Sequence, residues 1–91
     1  MPLLDELVKK DFAGGGLATN VFSAILVTAL TQFRPMSFQE LEETFEESTP
    51  RRIKLTLNRL IRDGWVEQAE DGYTVSDRVR QIYREYEVGG S

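Results

Sequence analysis

Apolar residues recur at offsets of three and four along most of the chain, in blocks separated by clear stop signals. Leu3, Leu4, Leu7 and Val8 share one side of a short amphipathic helix over Leu3 to Phe12, and the run Gly14-Gly15-Gly16 ends it. That run reads as a linker. It lacks the Gly-Lys-Ser/Thr ending of a phosphate-binding loop and the spaced glycines of a dinucleotide loop. Thr19 or Asn20 is placed to cap a second helix running to about Phe33, closed by the Arg34-Pro35 step. On a helical wheel Val21, Ile25 and Ala29 fall on one side, and Phe22, Leu26, Leu30 and Phe33 lie towards the other. Apolar groups ring most of that helix, so it is expected to be buried all round, as a central core helix or as a dimer seam.

The next signals are sharper. Ser37 with Glu40 forms a Ser-x-x-Glu capping box ahead of Phe38, Leu41 and Phe45, which share one face of a helix ending near Glu47. Thr49-Pro50 restarts a helix with a hydroxyl at the cap and proline at the first helical position. This helix runs to Asp63, with Gly64 as its left-handed C-terminal cap. Trp65 to Ala69, a Glu70-Asp71-Gly72 turn, and Tyr73 to Val75 predict a hairpin. Ser76 caps a last helix from Asp77 to about Val88, striped by Val79, Ile82, Tyr83 and Tyr86. The expected organisation is an N-terminal helix and Gly-rich linker over 1–16, one folded domain over 17–88 and a disordered tail over 89–91.

Composition narrows the chemistry. The chain has 91 residues, enough for one domain with a small core, and at 41% hydrophobic and 29% charged it lies away from the disordered class. There is no cysteine and no histidine. Disulfides, thiolate metal sites and Ser-His or Cys-His nucleophiles are thereby excluded, and no catalytic residue, metal or cofactor is expected. No apolar run approaches the roughly 20 residues of a membrane span, and the start MPLLDELVKKDF lacks the layout of a signal peptide, so a cytoplasmic location is expected. The net charge is −4, but the charges lie in blocks. Ser37 to Thr49 holds Glu40, Glu42, Glu43, Glu46 and Glu47 and no base, whereas Pro50 to Arg62 holds Arg51, Arg52, Lys54, Arg59 and Arg62 and no acid.

The order helix, capped helix, short turn, helix, hairpin, helix resembles a winged helix-turn-helix domain. The likeness is carried by MSFQELEETF, TPRRIKLTLNRLIRDG and WVEQAEDGYTV, between Met36 and Val75. The run LNRLIRDGWVEQ, an acidic Gly turn and then Tyr-x-Val is similar to the segment joining recognition helix to wing in small regulators of the MarR and IclR type. This resemblance implies a mainly α fold with a small β-hairpin wing and additional N- and C-terminal helices. It also implies a sequence-specific double-stranded DNA-binding protein, a small transcriptional regulator. Winged helices also serve as protein-interaction modules that never meet nucleic acid, which is the alternative function. Two features depart from the pattern. The turn Phe45-Glu46-Glu47-Ser48-Thr49 lacks the usual glycine, and the hairpin carries Glu67, Glu70 and Asp71 where DNA-binding wings are basic.

Within that frame the helix from Pro50 to Asp63 is the candidate reading element. Pro50, Leu57, Leu60 and Ile61 lie within about 80° of Ile53 and form its expected core face. The opposite arc holds Arg51, Arg52, Leu55, Asn58, Arg59 and Arg62, with Lys54 at its margin on a flanking phosphate. Arginines suit phosphates and guanine edges, Asn58 an adenine edge and Leu55 a thymine methyl, while backbone donors beside Ser48, Thr49 and Arg51 suit a phosphate. Arg51 and Arg52 oppose the helix dipole, so local helix stability does not explain them. The competing readings are a solvated charged face and docking on an acidic protein surface, such as the Glu40 to Glu47 face of another copy. Trp65, Tyr73, Tyr83 and Tyr86 are read as packing residues in preference to stacking platforms for bases. A homodimer is expected, joined through Phe22, Leu26, Leu30, Phe33, Val79, Ile82, Tyr83 and Tyr86.

Overall fold

The computed structural model describes residues 16–89, and the side chains of 16–85. The helix expected over Leu3 to Phe12 and the end of the tail lie outside the described residues. Among the described residues, four helices and one antiparallel hairpin make a mostly helical α+β fold.

Helix α1 spans Gly16–Thr31. Thr19 and Asn20 therefore sit inside it and cap nothing, because the helix extends backwards to bury Ala18 and to pack Leu17 on the core. Gly16 likewise belongs to the helix, not to a linker. Nor is α1 buried on every side. Ala18, Val21, Phe22, Ile25, Leu26 and Thr28 occupy one broad arc, while Val27 is exposed. The helix stops two residues before Phe33, which takes a left-handed backbone at φ 54. The chain then runs through Pro35 to Met36, whose N–H and carbonyl exchange hydrogen bonds of 2.8 Å with Tyr73. Met36 is thus a single rung of a third strand on the hairpin's edge.

The capping box closes as the Ser37 and Glu40 spacing predicts. Ser37 Oγ accepts from Glu40 N and the Glu40 carboxylate accepts from Ser37 N, each at 3.1 Å. Helix α2 is shorter than expected, Phe38–Thr44, and Phe45 to Ser48 form a turn tied by Ser48 N to Phe45 O at 2.9 Å. Helix α3, Pro50–Arg62, begins at Thr49, whose hydroxyl oxygen accepts from Arg52 N at 3.2 Å. Its end is a Schellman closure. Gly64 takes φ 84, its N–H reaches Ile61 O at 3.1 Å, and Trp65 N reaches Leu60 O at 2.9 Å.

Strands β1, Val66–Ala69, and β2, Gly72–Val75, pair with Val66 opposite Val75 and Ala69 opposite Gly72. Ser76 then ties the corner. Its hydroxyl donates to Gly64 O at 2.7 Å and accepts from Val79 N at 3.4 Å, opening α4 at Asp77–Gly89. The core joins Phe22, Ile25 and Leu26 of α1, Leu41 of α2, Ile53, Leu57 and Leu60 of α3, and Val66, Val75 and Val79. Trp65 stands edge-on to Phe22 at 5.9 Å between ring centres. Pro50, expected on this core face, is exposed.

Two constraints are open to measurement. Gly72 sits at φ 154, and a Cβ there would lie 2.7 Å from the Met36 carbonyl carbon and 2.9 Å from Ser37 Cα. Gly72→Ala is expected to lose roughly 1–3 kcal/mol in chemical denaturation, since backbone, not a flexible side chain, must move. Glu40 receives two hydrogen bonds from Arg34 at 2.7 Å. The Arg34 guanidinium, helped by Ser37 N–H, lowers its carboxyl from 4.5 to about 2. A lowered folded pKa contributes stability above the unfolded value and loses it as pH falls through the folded one. The melting-temperature difference between the wild type and Glu40→Gln should therefore be full above about pH 5 and vanish as pH approaches 2.

Candidate functional site

The charge blocks become surfaces once Ile53, Leu57 and Leu60 turn inward. Arg51, Arg52, Leu55, Asn58, Arg59 and Arg62 are all exposed on the outward side of α3. Leu55 is 58% exposed, an apolar residue set among cations. Beside it, Ala18 of α1 and Thr56, Asn58, Arg59 and Arg62 of α3 line a groove of about 410 Å³. The surface is therefore a basic ridge with a shallow trough along one flank.

Neutralisation within the chain is slight. Among the described residues the ion pairs are Arg34 with Glu40 at 2.7 Å and Arg62 with Asp63 at 3.7 Å. The second is long and open to solvent, so Arg62 keeps most of its charge outward. Arg51, Arg52 and Arg59 have no carboxylate partner among the described residues. The glutamates of α2 and its turn do not fold back onto them: Glu43, Glu46 and Glu47 are exposed and Glu42 half-buried.

The start of α3 is less open than its sequence implies. Ser48 N–H is used by Phe45 O, and Ser48 itself is half-buried, while Thr49 gives its hydroxyl oxygen to Arg52 N. Ile53 N–H closes on Thr49 O at 3.1 Å and Pro50 has no N–H, which leaves the amide of Arg51 as the donor facing out.

Lys54 does something other than the expected phosphate contact. Its ammonium donates to Tyr73 Oη at 2.9 Å and stands 5.6 Å and 5.9 Å from the ring centres of Tyr73 and Phe38. It binds α3 to the hairpin and to α2. The corner behind it is held by a second cation, Arg78, 4.6 Å from the Trp65 ring centre, with Nη1 3.4 Å from Asp63 O. Neither bridge is visible in local spacing, since the partners lie 19 and 15 residues apart. The Arg34–Glu40 pair did leave a signal. Arg34 precedes a capping box by one short extended stretch, which lays it beside the third residue of α2.

The residues expected to join two subunits divide. Phe22, Leu26 and Val79 are 0%, 1% and 0% exposed, part of the protomer's own core, and offer no surface. Leu30, Ile82 and Tyr83 are half-buried, Phe33 is almost fully exposed, and the side chain of Tyr86 lies outside the described ones. Among the described residues no acidic group is arranged to hold a metal ion, and no helix is long and apolar enough to cross a membrane.

No family model, curated protein or solved structure matches the chain.

The division between bridging and outward cations is measurable. Lys54→Ala should cost about 1–2 kcal/mol in denaturation, from one hydrogen bond and two ring contacts. Arg51→Ala and Arg52→Ala should stay within about 0.5 kcal/mol of the wild type.

Proposed function

We propose that the chain is a winged helix-turn-helix protein that binds double-stranded DNA through the outward arc of α3, as a small transcriptional regulator does. The observation that carries this reading is the exposure of Arg51, Arg52 and Arg59 without carboxylate partners, on the side opposite Ile53, Leu57 and Leu60. In a chain of net charge −4 such an uncompensated cationic strip is maintained against the overall balance. The element order supports the fold assignment: helix, single strand rung, capped helix, turn, helix, hairpin.

In this reading α3 lies in the major groove. Arg51 and Arg52 and the Arg51 amide take phosphates where the helix enters. Asn58 reads an adenine edge, Leu55 packs on a thymine methyl, and Arg59 and Arg62 reach guanine edges or the far strand. Lys54 contributes indirectly, by fixing the roll of α3 against the hairpin. The hairpin itself, with Glu67, Glu70 and Asp71 exposed, is kept off the phosphate backbone by like charge.

That acidic hairpin favours one competing reading, a winged helix that binds a protein surface and no nucleic acid. Fluorescence anisotropy with random and mixed-sequence duplexes at several salt concentrations separates the two. With four arginines engaged, the log–log slope of affinity against salt should be about −3 to −4, reduced by about 1 for each arginine replaced. Arg51→Glu combined with Arg59→Glu should abolish binding. A wild-type chain that shows no binding even at low salt gives the site to a protein partner.

A further inference from the structure

Phe33 is unusual in two respects. Its ring is 87% exposed, more than any other large apolar side chain described. Its backbone lies at φ 54, the one non-glycine residue at positive φ among the described residues. This is the residue after the C-cap of α1, a position where glycine or asparagine relieves the strain. A phenylalanine there suffers the backbone penalty without burying its ring, so packing within the protomer does not account for it.

The surface around it is cationic. Phe33 lines a groove of about 300 Å³ together with Ala29, Arg34 and Arg80, and a second groove of about 290 Å³ shares Arg80 and is lined by Leu30, Tyr83 and Arg84. No carboxylate lines either groove among the described residues. Arg34 is already engaged by Glu40. Arg80 and Arg84 are exposed and have no carboxylate partner among the described residues. Arg80 donates from Nη2 to Thr74 Oγ1 at 3.0 Å and from Nε to Val75 O at 3.5 Å. These neutral acceptors hold the guanidinium in place and leave its charge uncompensated. Arg84 follows it one turn later on α4, about 6 Å along the axis.

We propose that this face docks an acidic segment of another protein, with carboxylates on Arg80 and Arg84 and an apolar side chain against Phe33, Leu30 and Tyr83. Charge complementarity chooses the occupant. Two free cations with no acid in the lining attract carboxylates, and they repel a basic partner or the same face of a second copy. Acids one helical turn apart on the partner match the spacing of the two arginines. The exposed ring and apolar lining favour a peptide over a nucleic acid, which needs a longer cationic track. The hairpin that lines the first groove through Ala69 and Thr74 also carries exposed Glu67, Glu70 and Asp71. A duplex, much wider than a peptide, meets those carboxylates. No residue of α3 lines either groove, so this docking stands apart from the DNA reading and either can fail alone.

Fluorescence anisotropy with the full chain and a labelled helical peptide of about 15 residues tests the proposal, with glutamates at i and i+4 and leucines between them. A Kd of about 10–100 μM is expected. Peptides with lysine for glutamate, or with serine for leucine, should bind at least about 10-fold more weakly. Phe33→Gly should weaken binding by about 10-fold while leaving the melting temperature unchanged or raised. Arg84→Glu, which breaks no hydrogen bond among those described, should weaken it by about 5–10-fold. Neither substitution should alter duplex binding. No binding at roughly millimolar peptide, variants that bind like the wild type, or a serine peptide equal to the leucine one overturns the proposal. A peptide released by Arg51→Glu with Arg59→Glu overturns it in favour of acid docking on α3. A duplex affinity lowered by Arg84→Glu gives the face to nucleic acid, and a dimer dissolved by Phe33→Gly gives it to another copy.

Discussion

The burial of Ile53, Leu57 and Leu60 against α1 and the hairpin is the constraint on which the rest depends. These residues, spaced by four and three, define one side of α3 and so decide by exclusion which side carries the arginines. Without that seam the basic helix would be free to roll. With it, Arg51, Arg52, Asn58, Arg59 and Arg62 form a surface of fixed composition. Lys54 adds a second restraint at right angles to the seam, because its ammonium is captured by groups from two other elements. A helix with one face buried and one edge tethered has little rotational freedom, and the same property would let it discriminate among surfaces of different shape.

Much of this was legible in the sequence where the physics is local. The Ser37–Glu40 box, Thr49-Pro50, Gly64 and the hairpin each involve groups within a few residues of one another, and each formed as spacing implies, although Gly72, expected in the turn, opens β2. Failures occurred where a local pattern admits two burials. Phe22 and Leu26 show helical periodicity that fits a core or a subunit contact equally, and the presence of Trp65 and Val79 nearby decides for the core. Thr19 and Asn20 are good caps, yet packing of Leu17 and Ala18 extends the helix past them. Lys54 lies on the margin of the arc by angle alone. Its capture depends on Tyr73, whose position is set by the strand rung at Met36.

The acidic and basic blocks remain separate in space as in sequence. Among the described residues one glutamate of the acidic block, Glu40, is in an ion pair, and with Arg34 from outside the basic block. The two blocks therefore do not cancel, and the molecule presents a strongly patterned exterior under a small net charge. Such patterning is compatible with a compact core because no charge of either block is forced inward.

The corner at Ser76 has a further consequence. Its N–H bonds to Trp65 O at 3.1 Å and its hydroxyl to Gly64 O, so the backbone comes back after β2 to the point from which it departed before β1. The ten residues between are an excursion with a closed base. Lengthening the Glu70-Asp71 tip changes how far that excursion extends without altering the spacing between α3 and α4. Descendants of this scaffold are thereby free to acquire new outreach at the tip while inheriting an unaltered frame.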